Sequence, residues 1–217
     1  RRVLPALWAA GHRAFAVTLT GVGERAHLLT VGVTLQTHIL DVINTIEAEE
    51  LCDTVLVGHS YGGMVITGVA DRLANRLAHL VYVDAVVPHS GESWSSGHTP
   101  QTQAARRDMI AAGGSILPPD PRIFGLAGSD HAWVARRQTA QPGGVYDDPL
   151  HFDAHRVAAI RRTFIDCTSP ALPTIALARE RVRTEPAWNV MEIATGHDIM
   201  ISAPQPFVAA LLAICTG

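Results

Sequence analysis

An α/β architecture, a mostly parallel sheet with helices on both faces, is what the sequence predicts, and three observations carry the prediction. Two unbroken apolar runs, residues 54–57 and 80–83, flank a helical pattern of about a dozen residues, which makes a βαβ unit. Strand-like runs return late in the chain, at 163–167 and 188–193, and a closing helix follows from about Pro204 to Ile214. Leu35, Ile39, Val42 and Ile46 are spaced four, three and four apart, so they form one apolar stripe suited to covering a sheet. With 217 residues, 47% of them hydrophobic, the chain has enough material for one sizeable core.

In chain order, Val3, Leu4, Leu7 and Trp8 recur at helical spacing, and Gly11 marks a stop. Residues 14–19 read as a strand. The loop after it, residues 20–25, carries Gly21 and Gly23. A third glycine and a following helix are missing, so this loop is structural or lines a substrate, and does not bind phosphate. Thr34 is placed to cap the next helix, where His38 reads as an ordinary helix histidine and Asp41 falls on the wetter side. Pro204 suits the first turn of the last helix.

Composition changes in the middle. Most of the 13 prolines lie between Pro88 and Pro173, and up to about His155 glycine, serine and histidine are frequent and strand-like runs are lacking. Such a stretch is too long for an ordinary loop. The division expected is a core of residues 1–88 and 156–217 with a cap inserted at 89–155. Two helices are expected in the cap, at 101–112 and 131–138. Trp94, Phe124, Trp133, Tyr146 and Phe152 either face a substrate or form the cap's own small core.

The chemistry gathers at Gly58-His59-Ser60-Tyr61-Gly62, which fits G-x-S-x-G between a strand and a helix. That context makes Ser60 the candidate nucleophile, on a turn so tight that side chains at Gly58 and Gly62 are expected to collide across it. A serine hydroxyl needs a base, and the base needs an orienting acid. His197 is the only histidine after His155 and directly follows the last strand run, so it is the candidate base. Asp84, at the end of the strand after the elbow helix, is the preferred acid. Asp166 is the competitor. The backbone N–H of Tyr61 supplies one donor for the oxyanion. The second is expected from a segment upstream of Arg1, since the chain opens on Arg1-Arg2-Val3-Leu4 without an initiator methionine.

The remaining totals exclude several classes. The net charge of -3 and the absence of a basic run argue against nucleic-acid or anionic-membrane partners. No apolar stretch approaches the ~20 residues a membrane span requires. Cys52, Cys167 and Cys215 lack metal-ligand spacing and read as reduced, buried thiols of a cytoplasmic protein. No metal or other cofactor is expected, and oligomeric state leaves no trace.

The segments 18–25, Gly58-His59-Ser60-Tyr61-Gly62-Gly63 and 80–85 together resemble the α/β-hydrolase superfamily. They are similar to small bacterial carboxylesterases related to plant methylesterases and hydroxynitrile lyases. The resemblance implies the α/β-hydrolase fold, Ser60 as nucleophile, His197 as base and hydrolysis of small-molecule esters through an acyl-enzyme. Those plant relatives place the acid on the loop after the penultimate strand. Here that loop, residues 167–172, has no carboxylate, which turns the choice to Asp84. Two other readings stay open: a hydroxynitrile-lyase-like lyase, and a non-catalytic small-molecule receptor. The lyases use a cationic group over the pocket, often lysine, and all 17 basic residues here are arginine.

Overall fold

The apolar stripe of residues 35–46 is fully buried in the computed structural model, which describes residues 1–216. The chain begins with α1 (Leu4–Ala9) and reaches α2 (Leu35–Ala48), whose first turn is closed by a reciprocal box between Thr34 and Thr37. Then come β1 (Thr54–His59), α3 (Gly62–Leu73) and β2 (Leu77–Val83). The middle of the chain holds α4 (Pro100–Gly113), β3 (Ser115–Ile116), α5 (Gly128–Ala135) and β4 (Gln141–Pro142). The last part runs α6 (Ala154–Ala158), β5 (Arg161–Cys167), α7 (Ala176–Thr184), β6 (Trp188–Ile193), α8 (Ile199–Ser202) and α9 (Pro204–Thr216).

The main sheet has the order β1-β2-β5-β6, and every pairing in it is parallel. Alternation along β2 builds a core on each face. Leu80 and Tyr82 join α2 and α3 on one side, while Val81 and Val83 join Phe207, Leu211 and Ile214 of α9 on the other. Because all four strands run the same way, their carboxyl ends share one edge, and the loops leaving them meet there.

Three expectations need correction. Residues 14–19 do not form a strand. They pair with no ladder, and Phe15 stays 43% exposed. The reason is the lack of a neighbour. A cavity of about 780 Å³ lies between this segment and β1, so β1 is an open edge and its Val57 is 39% exposed. Second, only Cys167 of the three thiols is buried; Cys52 and Cys215 are exposed. Burial pushes the Cys167 thiol up to about 12. Third, strand structure is not lacking in the middle segment, where β3 and β4 form a two-stranded antiparallel ladder. The helices there start before their expected positions, because Thr99 caps α4 ahead of Pro100 and α5 begins at Gly128. Among the described residues, no helix is long and apolar enough to cross a membrane.

Candidate active site

β1 delivers Ser60 to the carboxyl edge of the sheet in a left-handed bend, φ 54°. A serine in that region is strained, and the surroundings must hold it. They do so from the next strand: Ser60 N–H donates to Val83 O at 3.3 Å, and Val86 N–H donates to Ser60 O at 3.0 Å. The glycines that permit this turn are not the pair expected. A methyl on Gly58 would sit 2.6 Å from Gly62 O, which bears out that position. A methyl on Gly62 would meet nothing within 4 Å. The forbidden place is Gly63, where it would lie 1.9 Å from Val86 O. The turn is crowded on the side facing β2, and Gly62 faces away from that crowd.

Tyr61 stands at the N-cap of α3. The N–H groups of Gly63 and Met64 turn back onto Ser60 O and Tyr61 O. That of Tyr61 is among the amides a helix start leaves without an intrahelical acceptor. The Tyr61 phenol is buried and donates to His38 Nδ1 at 3.1 Å, while His38 Nε2–H donates to Thr20 O at 2.8 Å. His38 thus links Tyr61 to the backbone at Thr20. It is fully buried, and burial lowers its basicity. Asp41, expected on the wet side, accepts from Thr20 N–H, Thr20 Oγ1 and Arg25, and so gathers the loop of residues 18–25 onto α2.

His197 lies on the loop after β6 and is buried. The loop crosses the end of β5, where Thr168 N–H and Ser169 N–H donate to Ile193 O and Thr195 O. It brings His197 Nδ1 to 2.6 Å from Asp84 Oδ2 at the end of β2. Asp84 is fully buried and, like Ser60, sits in a left-handed bend, φ 40°. Gly196 makes the loop's approach possible, since a methyl there would lie 2.0 Å from Phe124 O. Asp166 does not reach the imidazole. Its two oxygens accept from Arg179 Nε and Arg183, each at 2.6 Å.

The residue before the serine is a brace. His59 Nε2–H donates to His197 O at 2.9 Å, and the two rings pack with centroids 4.3 Å apart. Burial first, and the neighbouring His197 charge second, push His59 down to about 3, so this ring is a neutral donor. Of the five middle-segment aromatics, two reach the site: Phe124 packs 5.1 Å from His197 and Trp94 5.0 Å from Tyr61. Tyr146 is sealed inside against His98, Trp133 lies between Arg1 and Arg137, and Phe152 packs on the main core.

The fold and this edge define an α/β protein whose strand ends carry a strained serine and a buried carboxylate paired with an imidazole. Sequence comparison is specific. The model of the alpha/beta hydrolase family matches residues 1–210, and the chain belongs to that family. It is 38% identical, over 99% of its own length and 93% of the relative's, to a carbendazim hydrolyzing esterase of Nocardioides sp. (strain SG-4G). It is 25% identical, over 98% of its length and 89% of the relative's, to Methylesterase 3 of Arabidopsis thaliana. Its fold is similar to that of an extracellular alpha/beta-hydrolase from a Paenibacillus species, with a TM-score of 0.85 and 18% identity, covering 98% of this chain and 91% of that one. Family membership and esterase relatives make the protein a hydrolase of ester bonds.

Proposed function

We propose that the protein is a serine carboxylesterase in which Ser60, His197 and Asp84 form a catalytic triad. One observation carries the reading: a buried carboxylate lies 2.6 Å from His197 Nδ1, and the strand end that bears it is hydrogen-bonded to Ser60. That contact leaves Nε2 as the nitrogen for the serine hydroxyl. Nε2 takes the Ser60 proton as Oγ attacks the ester carbonyl, and Asp84 steadies the imidazolium that forms. The tetrahedral oxyanion is held by the Tyr61 N–H, at the start of α3. His197 then protonates the leaving alkoxide, and a water deacylates Ser60 by the same route.

Residues 89–155 act as a cap in this reading, with Trp94 and Phe124 offering aromatic surface beside Tyr61 and His197. Carbendazim is the first compound to try, because the relative at 38% identity is named for hydrolysing it. A cytoplasmic site of action belongs to the same proposal and agrees with three unpaired cysteines, two of them exposed. Recovery of the native protein outside the cell would end it.

The test is release of p-nitrophenol from p-nitrophenyl acetate. Wild-type protein is expected to turn over, and Ser60→Ala to lose at least about 10³-fold in kcat. Tight binding of aromatic esters without turnover would overturn the hydrolytic reading in favour of a receptor.

A further inference from the structure

Behind Asp84 stands a second partner. Arg179 Nη2 donates to Asp84 Oδ1 at 2.6 Å, while His197 occupies Oδ2. The same guanidinium donates through Nε to Asp166 Oδ1 at 2.6 Å, through Nη1 to Leu172 O at 2.7 Å, and through Nη2 to Cys167 O at 3.3 Å. Arg183 closes the far side, giving Asp166 and Glu192 one bond each at 2.6 Å. The Asp84 and Asp166 side chains are 0% and 2% exposed, and Arg179 is 14% exposed.

We propose that Arg179 is the positioning residue of this esterase site: it fixes the carboxylate of Asp84 so that Oδ2 stays aimed at His197. The proposal rests on the reading of Ser60, His197 and Asp84 as a triad. A carboxylate with one partner can turn about its last bond, whereas one held on both oxygens cannot. Arginine suits the task because its planar fork is rigid and always charged. A fully buried carboxylate also needs a countercharge, which the imidazole supplies only when protonated. Asp166 has the complementary part. It holds Arg179 from the other side and balances its charge, so that the cation does not oppose the imidazolium uncompensated. The order of charge from Asp84 to Glu192 alternates minus, plus, minus, plus, minus.

The experiment is p-nitrophenyl acetate kinetics on wild type, Arg179→Lys, Arg179→Met, Asp84→Asn and the double variant Arg179→Met with Asp84→Asn. Arg179→Met is expected to lower kcat by about 10- to 100-fold, with KM changed less than about two-fold. Arg179→Lys keeps the charge without the fork and is expected to recover only a minor part of the loss; full recovery shows that charge alone suffices and overturns the positioning role. On the Asp84→Asn background the arginine has nothing left to aim, so its removal costs less than about two-fold more. Equal losses on both backgrounds, or a KM effect alone, overturn the proposal. Since Arg179→Met leaves two buried carboxylates facing each other, Arg179→Met with Asp166→Leu is measured beside it. This pair is expected to fold and to keep the low kcat; a return to wild-type kcat shows that Arg179 only neutralised Asp166, and sinks the idea. If Asp84→Asn itself costs nothing, the triad reading fails as well. If it costs turnover and Arg179→Met does not, only Arg179's assignment falls.

Discussion

At Gly63 an added methyl would lie 1.9 Å from a carbonyl oxygen, and at Gly62 it would meet open space. Gly63→Ala is therefore expected to lower stability by at least about 1–3 kcal/mol, while Gly62→Ala leaves the unfolding transition in place. Calorimetric scans of the two variants check this, and equal transitions would refute it. The motif G-x-S-x-G points to Gly62, because a sequence shows which residues are small and not which face of the turn is crowded. Ser60 and His197 are singled out in the sequence for a different reason: the motif marks the serine, and chain order alone puts the histidine after the last strand. The choice between Asp84 and Asp166 was not legible, since both lie at or near strand ends. What separates them in space is that His197 Nδ1 meets Asp84 Oδ2, while both oxygens of Asp166 are taken by the arginines at 179 and 183, one helical turn apart on α7. Arginines in an Arg-Glu-Arg-Val-Arg run look in sequence like a solvated helix face.

Among elements, α2 follows most directly from its residues. Its period matches a helix, its stripe is apolar, and Ile39 is 2% exposed against α3, where Gly68 leaves room for it. Ile39→Ala should cost about 2–5 kcal/mol, since the close-packed site cannot collapse into the space left. Urea denaturation measures it, and a loss under about 0.5 kcal/mol would mean that α2 is not pinned there. Of the main sheet, β2 was readable as an unbroken apolar run because this central parallel strand is covered on both faces. Residues 14–19 carry the same pattern, yet alternation tells only where side chains point. A strand also needs a backbone partner, which no pattern within the segment reveals. The helices α4 and α5 were placed only roughly, because their faces carry little apolar contrast and their ends are set by local caps.

For the molecule as a whole, the buried histidines set the response to acid. Burial lowers His38 and His79, pushes His98 down to about 4 and His59 to about 3, against an ordinary value of 6.5. The unfolded chain takes up protons near that ordinary value while the folded chain refuses them. Stability is thus fully present above about pH 6.5 and drains away as pH falls through the window toward 4. Carboxylates such as Glu92, held below their usual range by Arg181, add to the loss only at lower pH. Denaturation midpoints at about pH 7.5, 6.5 and 5.5 should therefore descend; a flat series would show that these rings protonate without cost. The class of molecule was legible from the sequence, since a nucleophile elbow between a strand and a helix leaves few alternatives. The cavity beside β1 was not, because it is made by parts of the chain far apart in sequence.

The left-handed bends at Ser60 and Asp84 lean on each other through the bonds joining Ser60 to Val83 O and to Val86 N–H. Neither can relax while the other is held, so warming has no gentle path that spoils the catalyst and spares the scaffold. Heat inactivation and global melting should coincide as a single cooperative event, with no temperature at which an intact but idle protein accumulates.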